Sequence, residues 1–181
     1  MGSVGPEGRV VILTFFWIFG VIAMGSALLC ITRKNAVACA LWLVVTLFAL
    51  AALFVLLDAQ FIAVLQVLVY AGAIMVLFLF VIMLLNLGRP APTDIKGPVG
   101  LLIAVVLAGA LLFQLRVLGQ TTLPDAIRLP PGTVAAMQQQ QGMVGAVAGP
   151  LFEAYLVPFE IASVLLLAAI VGAVVLAKRK L

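Results

Sequence analysis

Five long apolar runs, separated by short charged junctions, set what this chain can fold into. Val10–Thr32 and Asn35–Leu57 are each 23 residues without a charge, Ala59–Gly88 is 30 and Gly97–Leu115 is 19. Ala154–Ala177 is interrupted only by Glu160. A hydrocarbon core about 30 Å thick needs roughly 20 helical residues, and in lipid the backbone must satisfy its own hydrogen bonds. The pattern therefore predicts an all-α integral membrane protein, one membrane domain over 1–181. Its five transmembrane helices are placed at about 10–32, 36–57, 60–87, 97–115 and 155–177. The stretch 129–152 is also uncharged, but Pro130, Pro131 and Gln138–Gln141 would carry too many unsatisfied polar groups into lipid. It is assigned to a long external loop, 116–153.

Composition narrows the chemistry. Charged residues are 9% and hydrophobic ones 66%, against about 25% and 45–50% in soluble domains. There is no His, and Cys30 and Cys39 cannot hold an iron–sulfur cluster by themselves. Both cysteines read as small apolar packing residues. Pro6 stands where N-myristoylation needs Ser or Thr. The first run also exceeds the 7–15 residue core of a signal peptide, roughly the limit for cleaved signals, so it is expected as a retained helix. Arg33, Lys34, Arg89, Lys96, Lys178, Arg179 and Lys180 fall at alternate junctions; Arg9, Arg116 and Arg128 fall on the other side. The positive-inside rule then places the N-terminus outside and the C-terminus in the cytoplasm. The net charge of +4 is a bias between membrane faces, and no nucleic-acid partner is expected.

The third run is too long for its task. Thirty residues make a helix of about 45 Å, which must tilt, kink or leave the bilayer. At its middle lies Val69-Tyr70-Ala71-Gly72-Ala73-Ile74-Met75. The small residues allow another helix to approach closely, and Gly72 makes a π-bulge less costly. Tyr70 places a hydroxyl at mid-bilayer. Two readings stand side by side: a close-packing site, or a hinge beside a polar path.

The block Gln66 to Asn86, QVLVYAGAIMVLFLFVIMLLN, closely resembles the third helix of subunit J of the proton-pumping NADH:quinone oxidoreductase, respiratory complex I. Its mitochondrial and chloroplast counterpart is subunit 6. Tyr155-Leu156-Val157-Pro158-Phe159-Glu160, with the Gly/Ala-rich run after it, resembles the start of the family's last helix. Arg33-Lys34-Asn35-Ala36-Val37 is similar to its first loop. Residues 116–150, with their Pro pair and Gln run, match no pattern of the family. The resemblance implies a membrane-arm subunit that couples NADH-to-quinone electron transfer to proton translocation and binds no cofactor itself. FMN, iron–sulfur clusters and quinone are held by other subunits. Subunits A, H, K and N are the implied partners, in a bacterial inner membrane or an organellar one. In the family the third helix can carry a π-bulge that comes and goes, near the quinone end of a polar axis. Carried onto this chain, the hinge is Tyr70 to Val76. Tyr70, Gly72, Met75 and Val76 are its gating residues, and Phe78 and Phe80 are packing or hydrophobic-gate residues. The alternatives are a structural scaffold in the same complex and an independent small transporter; the transporter would want midplane charge or an internal repeat.

Two acids remain. Glu160 is a carboxylate inside a predicted span, costly at the bilayer centre and less so at its edge. It reads either as a proton-path or partner-pairing group, or as an interfacial helix-start acid favoured by the helix dipole. Asp58, between the second and third helices, has the same two functional roles open to it. Its structural reading is a solvated loop acid or an N-terminal cap of the third helix.

Overall fold

The computed structural model describes residues 6–85, 98–120 and 133–178. Among these the chain is helical, without strands. In chain order the helices are α1 (Pro6–Thr32), α2 (Ala36–Leu56), α3 (Gln60–Leu65), a π-helix (Gln66–Ile74), α4 (Met75–Leu84), α5 (Pro98–Gln120), α6 (Thr133–Glu153) and α7 (Leu156–Ala177). α3, the π-helix and α4 are continuous and form the third apolar helix. Five stretches are long and apolar enough to cross a membrane: Glu7–Thr32, Ala36–Leu56, Gln60–Leu84, Leu102–Gln120 and Leu156–Ala177. They coincide with the five runs. The residues around 86–97 and 121–132, on which the expected ends at 87 and 97 fall, lie outside the described residues.

Two expectations need correction. The fourth helix does not stop at 115 but runs to Gln120. Arg116 ends the apolar run, yet arginine is a good helix former and its stem can lie along apolar surface. Thr133–Glu153, assigned to an external loop, is helical, with non-helical backbone at Gly142 (φ 74, ψ 170) and Pro150 inside it. The argument from Pro and Gln concerns burial in lipid, not helicity; Ala, Met and Gln favour helix. The stretch is not among the five membrane-crossing candidates.

The chain divides into two compact units, Met1–Leu129 and Pro130–Leu181. In the first, α1 and α2 form a hairpin. Asn35 caps α2: its Oδ1 accepts from the Val37 amide at 2.9 Å and, more weakly, from the Ala38 amide at 3.4 Å. Truncating such a cap costs about 1 kcal/mol. The third helix packs on α2. The buried apolar residues described are small: Ala23, Ala40, Ala49, Ala51, Ala63 and Ala71, joined only by Met75 and Ile82. Lipid tails are as apolar as leucine, so association in the bilayer rests on close backbone approach rather than on hiding large side chains. Most large aliphatic and aromatic residues are accordingly exposed, with Leu43, Val44, Leu47 and Leu79 packed against the small core.

One polar contact lies inside this packing. Ser26 Oγ of α1 and Thr46 Oγ1 of α2 are 2.8 Å apart and buried. Ser26 Oγ is also 2.7 Å from the Ile22 carbonyl, and Thr46 Oγ1 is 3.0 Å from the Trp42 carbonyl. Each hydroxyl has one hydrogen, so one donates to its own helix while accepting from the other. In the second unit, α6 meets α7 through an edge-to-face contact of Phe152 and Phe159, centroids 5.2 Å apart.

Candidate functional site

The nine-residue π-helix is the departure from regular structure within the membrane-crossing helices. Its location follows from the sequence around Gly72. A Cβ added at Gly72 would stand 3.2 Å from the Val67 carbonyl oxygen. That carbonyl lies five residues back, the acceptor position of an i→i+5 turn. A side chain at this site therefore presses on the backbone of the wide turn itself, and glycine removes the pressure.

The π-helix also sets which residues face α2. Ala63 and Ala71 are both buried, yet eight residues of α-helix rotate about 80° beyond two full turns. The wider π turn takes back most of that rotation and puts both alanines on one face. Met75 and Ile82 then continue the same face as the core shared with Ala40 of α2. If the segment took up a regular α-helical path, α4 would rotate by about 100° for each residue absorbed, and Met75 would leave Ala40.

The residues singled out from the sequence take different places. Tyr70 lies in the π-helix and is 53% exposed on the chain. Gly72 lies in the π-helix; Met75 and Val76 open α4. Met75 is buried, whereas Val76, Phe78 and Phe80 turn outward. The expected hinge, Tyr70 to Val76, overlaps the π-helix from Tyr70 to Ile74. The π-helix begins earlier, at Gln66, because the wide turn reaches back from Gly72 to Val67 and beyond. Gln66 to Val69 belong to the motif block but were not in the expected hinge; the five-residue reach was the available signal.

Asp58 is exposed, and the N-cap position of the third helix falls on the residue after it. Ala59 occupies that N-cap position, without a side-chain bond. Asp58 has positive φ, 58°, and closes the end of α2 instead. Its amide donates to the Val55 carbonyl at 3.1 Å, and the Ala59 amide donates to the Phe54 carbonyl at 2.9 Å. This is a Schellman motif with aspartate where glycine is usual. Aspartate tolerates left-handed backbone better than most residues. Asp58→Gly is thus expected to assemble and turn over normally if the residue serves the turn; loss of proton pumping in an assembled Asp58→Gly enzyme would assign the carboxylate a role in proton transfer.

Glu160 belongs to the second unit, on the second turn of α7, and is exposed on the chain. Its carbonyl accepts a 2.7 Å bond from Ser163 Oγ. None of the α5 and α7 span residues considered is buried within the chain.

These features define a multi-pass membrane protein whose third helix carries a π-helix at mid-length. Residues 26–176 match the family model of NADH-ubiquinone/plastoquinone oxidoreductase chain 6. The chain belongs to that family, as subunit J or chain 6 of complex I-type enzymes. It is 35% identical over 170 residues to the NADH-quinone oxidoreductase subunit J of Rhodobacter capsulatus, covering 91% of this chain and 80% of that one. It is 33% identical over 178 residues to the chloroplastic NAD(P)H-quinone oxidoreductase subunit 6 of Chlorokybus atmophyticus, covering 92% and 83%. It is 31% identical over 181 residues to the F(420)H(2) dehydrogenase subunit J of Methanosarcina mazei, covering 96% and 95%. Its partners are accordingly other subunits of such a complex.

Proposed function

We propose that this subunit helps couple electron transfer to quinone with proton translocation, the third helix acting as a conformational gate between a π-helical and an α-helical path. The observation that carries the reading is the π-helix at Gln66–Ile74, in which a Cβ at Gly72 would stand 3.2 Å from the Val67 carbonyl oxygen. A two-state element lets a small change at one site reach another. Here the change of state rotates α4, exchanging Met75 on α2 for another residue and re-aiming Val76, Phe78 and Phe80. Tyr70, turned outward, offers its hydroxyl to a neighbouring subunit or to water beside the gate.

The names of the relatives carry different electron donors: NADH, NAD(P)H and F(420)H(2). A role in the membrane, away from the donor, suits all three. The redox chemistry belongs to other subunits, through FMN, iron–sulfur clusters and quinone. This chain has no His and only two Cys. The neighbours in question are subunits A, H, K and N. Glu160 is a candidate proton-path or partner-pairing carboxylate, since it is exposed on a helix that has no buried residue within the chain. The membrane is a bacterial inner membrane or an organellar one, with the N-terminus outside and the C-terminus in the cytoplasm. Reporter fusions after Lys34, Lys96 and Lys180 are expected to read cytoplasmic, and fusions near Asp58 external; the reverse at two or more sites overturns the orientation.

The gate is tested by locking it. Ala40 and Met75 lie in one core cluster. In a background with Cys30→Ala and Cys39→Ala, the pair Ala40→Cys and Met75→Cys is oxidised in the assembled complex to tie α4 to α2. Turnover and proton pumping are expected to fall on cross-linking and to return on reduction. Complete cross-linking with unchanged turnover and pumping would leave the scaffold reading, which the outward faces of α5 and α7 also suit.

A further inference from the structure

A groove of about 520 Å³ runs between α2 and the third helix, at the end where the Asp58 turn joins them. Ala51 and Val55 of α2, Gln60 and Ala63 of α3, and Val67 and Leu68 of the π-helix are among its walls. The whole lining is apolar except for Gln60, the first residue of the membrane-crossing stretch Gln60–Leu84. Gln60 Oε1 is buried and has no hydrogen-bond partner among the described residues. A buried acceptor left unpaired is destabilising, so its partner is expected from outside the chain. The last torsion of a glutamine is broad, and the amide turns toward the groove that the residue lines at little cost. The groove therefore suits an occupant that is apolar along its length and carries an N–H or O–H group at one end.

Dimensions and charge select among such occupants. The α2 wall runs from Phe48 to Val55, about 10 Å along the helix axis. Over that length the volume gives a cross-section of about 50 Å², less than a helix roughly 10–12 Å across fills. A hydrocarbon chain enters such a groove; a helix of a neighbouring subunit does not. A polar group at the end of a span, with apolar walls below it, also repeats the order of a lipid, headgroup at the surface and chain within. Arg9 lines a second groove with Leu56 and Leu57, at the same end of the hairpin. It is exposed and makes no ion pair among the described residues, so it offers a cation to a phosphate. Glu7 and Asp58 are exposed acids at this end. Two acids against one base disfavour a lipid of net negative charge. We infer that the groove binds a chain of phosphatidylethanolamine from the surrounding membrane, whose ammonium donates to the Gln60 side-chain oxygen while its phosphate lies toward Arg9. A choline headgroup carries no N–H and leaves Gln60 unpaired. The site is independent of the gating role proposed above.

The probes are a phosphatidylethanolamine and a phosphatidylcholine with the same photoactivatable diazirine on one acyl chain, each exchanged into the assembled complex in a lipid bilayer and illuminated. Peptide mass spectrometry reads the label on residues 48–55 and 60–68. The ethanolamine probe is expected to label both segments about tenfold more than the choline probe at equal concentration, the preference given by one hydrogen bond from a charged donor. Gln60→Leu keeps the groove apolar and removes the amide; there the two probes should label equally, at the choline level. If Gln60→Leu does not assemble, competition on the unsubstituted complex replaces it: unlabelled ethanolamine lipid should displace the ethanolamine probe about tenfold better than choline lipid does. Equal labelling by both probes, or equal competition by both lipids, overturns recognition through Gln60, as does a preference that persists in assembled Gln60→Leu. A phosphatidylglycerol probe that labels as strongly as the ethanolamine one overturns the choice of a zwitterionic lipid. No label on either segment, while lipid-facing segments elsewhere in the complex are labelled, shows that protein covers the groove and overturns the site.

Discussion

Gly72→Val is expected to give an assembled complex that passes electrons slowly and pumps protons poorly. The first carbon of the new side chain would stand 3.2 Å from the Val67 carbonyl oxygen, closer than van der Waals contact allows without movement. The two branches on that carbon add further crowding against the same turn. In the π path the contact is with the carbonyl five residues back, the acceptor of the wide turn. In an α path the corresponding acceptor is four residues back. Unless the Val67 carbonyl gives way by a few tenths of an ångström, the substitution raises the energy of the π form. Overpacking costs about 1–3 kcal/mol, which shifts a balanced two-state equilibrium by roughly 5- to 100-fold. Gly72→Ala, which brings the same Cβ without branches, should lie between the two. NADH:quinone turnover and proton pumping are measured in membranes, with assembly read on a native gel. Normal turnover and pumping by assembled Gly72→Val would sink the gating idea, while loss of assembly alone would assign Gly72 to packing. Tyr70→Phe separates the hydroxyl from the ring: it keeps the outward ring and removes only the hydrogen-bonding group. Its expected effect is smaller, because among the described residues the hydroxyl has no partner within the chain.

The spans were legible because a bilayer imposes one length scale on every apolar run, and charges mark where each run must end. The site was legible at Gly72 for a related reason: Ala-Gly-Ala in an overlong helix is a place where irregular backbone costs least. Its extent was not. A wide turn is closed by a carbonyl upstream, so the π-helix reaches back to Gln66 through residues that look like ordinary apolar helix. Of the two structural readings of Asp58, the exposed loop acid fits its turn, while the N-cap position of the third helix falls on Ala59. Acidic residues cap helix starts so commonly that a turn requiring positive φ gives no separate signal in the sequence. Thr133–Glu153 was missed because the argument applied there concerned only whether lipid would accept Pro and Gln. Whether a stretch is helical follows propensity, and Ala, Met and Gln supply it. The outward faces of α5 and α7 cannot be read from composition, since uniformly apolar helices look alike whether lipid or protein covers them.

Ala40→Leu is expected to destroy assembly, whereas Ser26→Ala is expected to leave it nearly intact, although Ser26 carries the buried bond between α1 and α2. The two changes set close packing against polar bonding. Ala40 is 3% exposed and shares its cluster with Met75 and Ile82, so the three added carbons must push α2 and α4 apart or turn into the groove that Ala40 also lines. Their separation would open the small-residue seam along which the third helix lies on α2, and a cost of about 1–3 kcal/mol is expected there. Ser26→Ala removes a bond that within a bilayer contributes about 0.6 kcal/mol on average and at most about 1.7. It strands nothing, since Thr46 Oγ1 can still donate to the Trp42 carbonyl at 3.0 Å. The measurement is the fraction of this subunit recovered in the intact complex on a native gel, for each variant at matched expression. Recovery of Ala40→Leu at the level of the unsubstituted protein would show that the α2–α4 seam has slack. A Ser26→Ala variant as poorly assembled as Ala40→Leu would show that the polar bond, and not the alanine seam, holds the helices together.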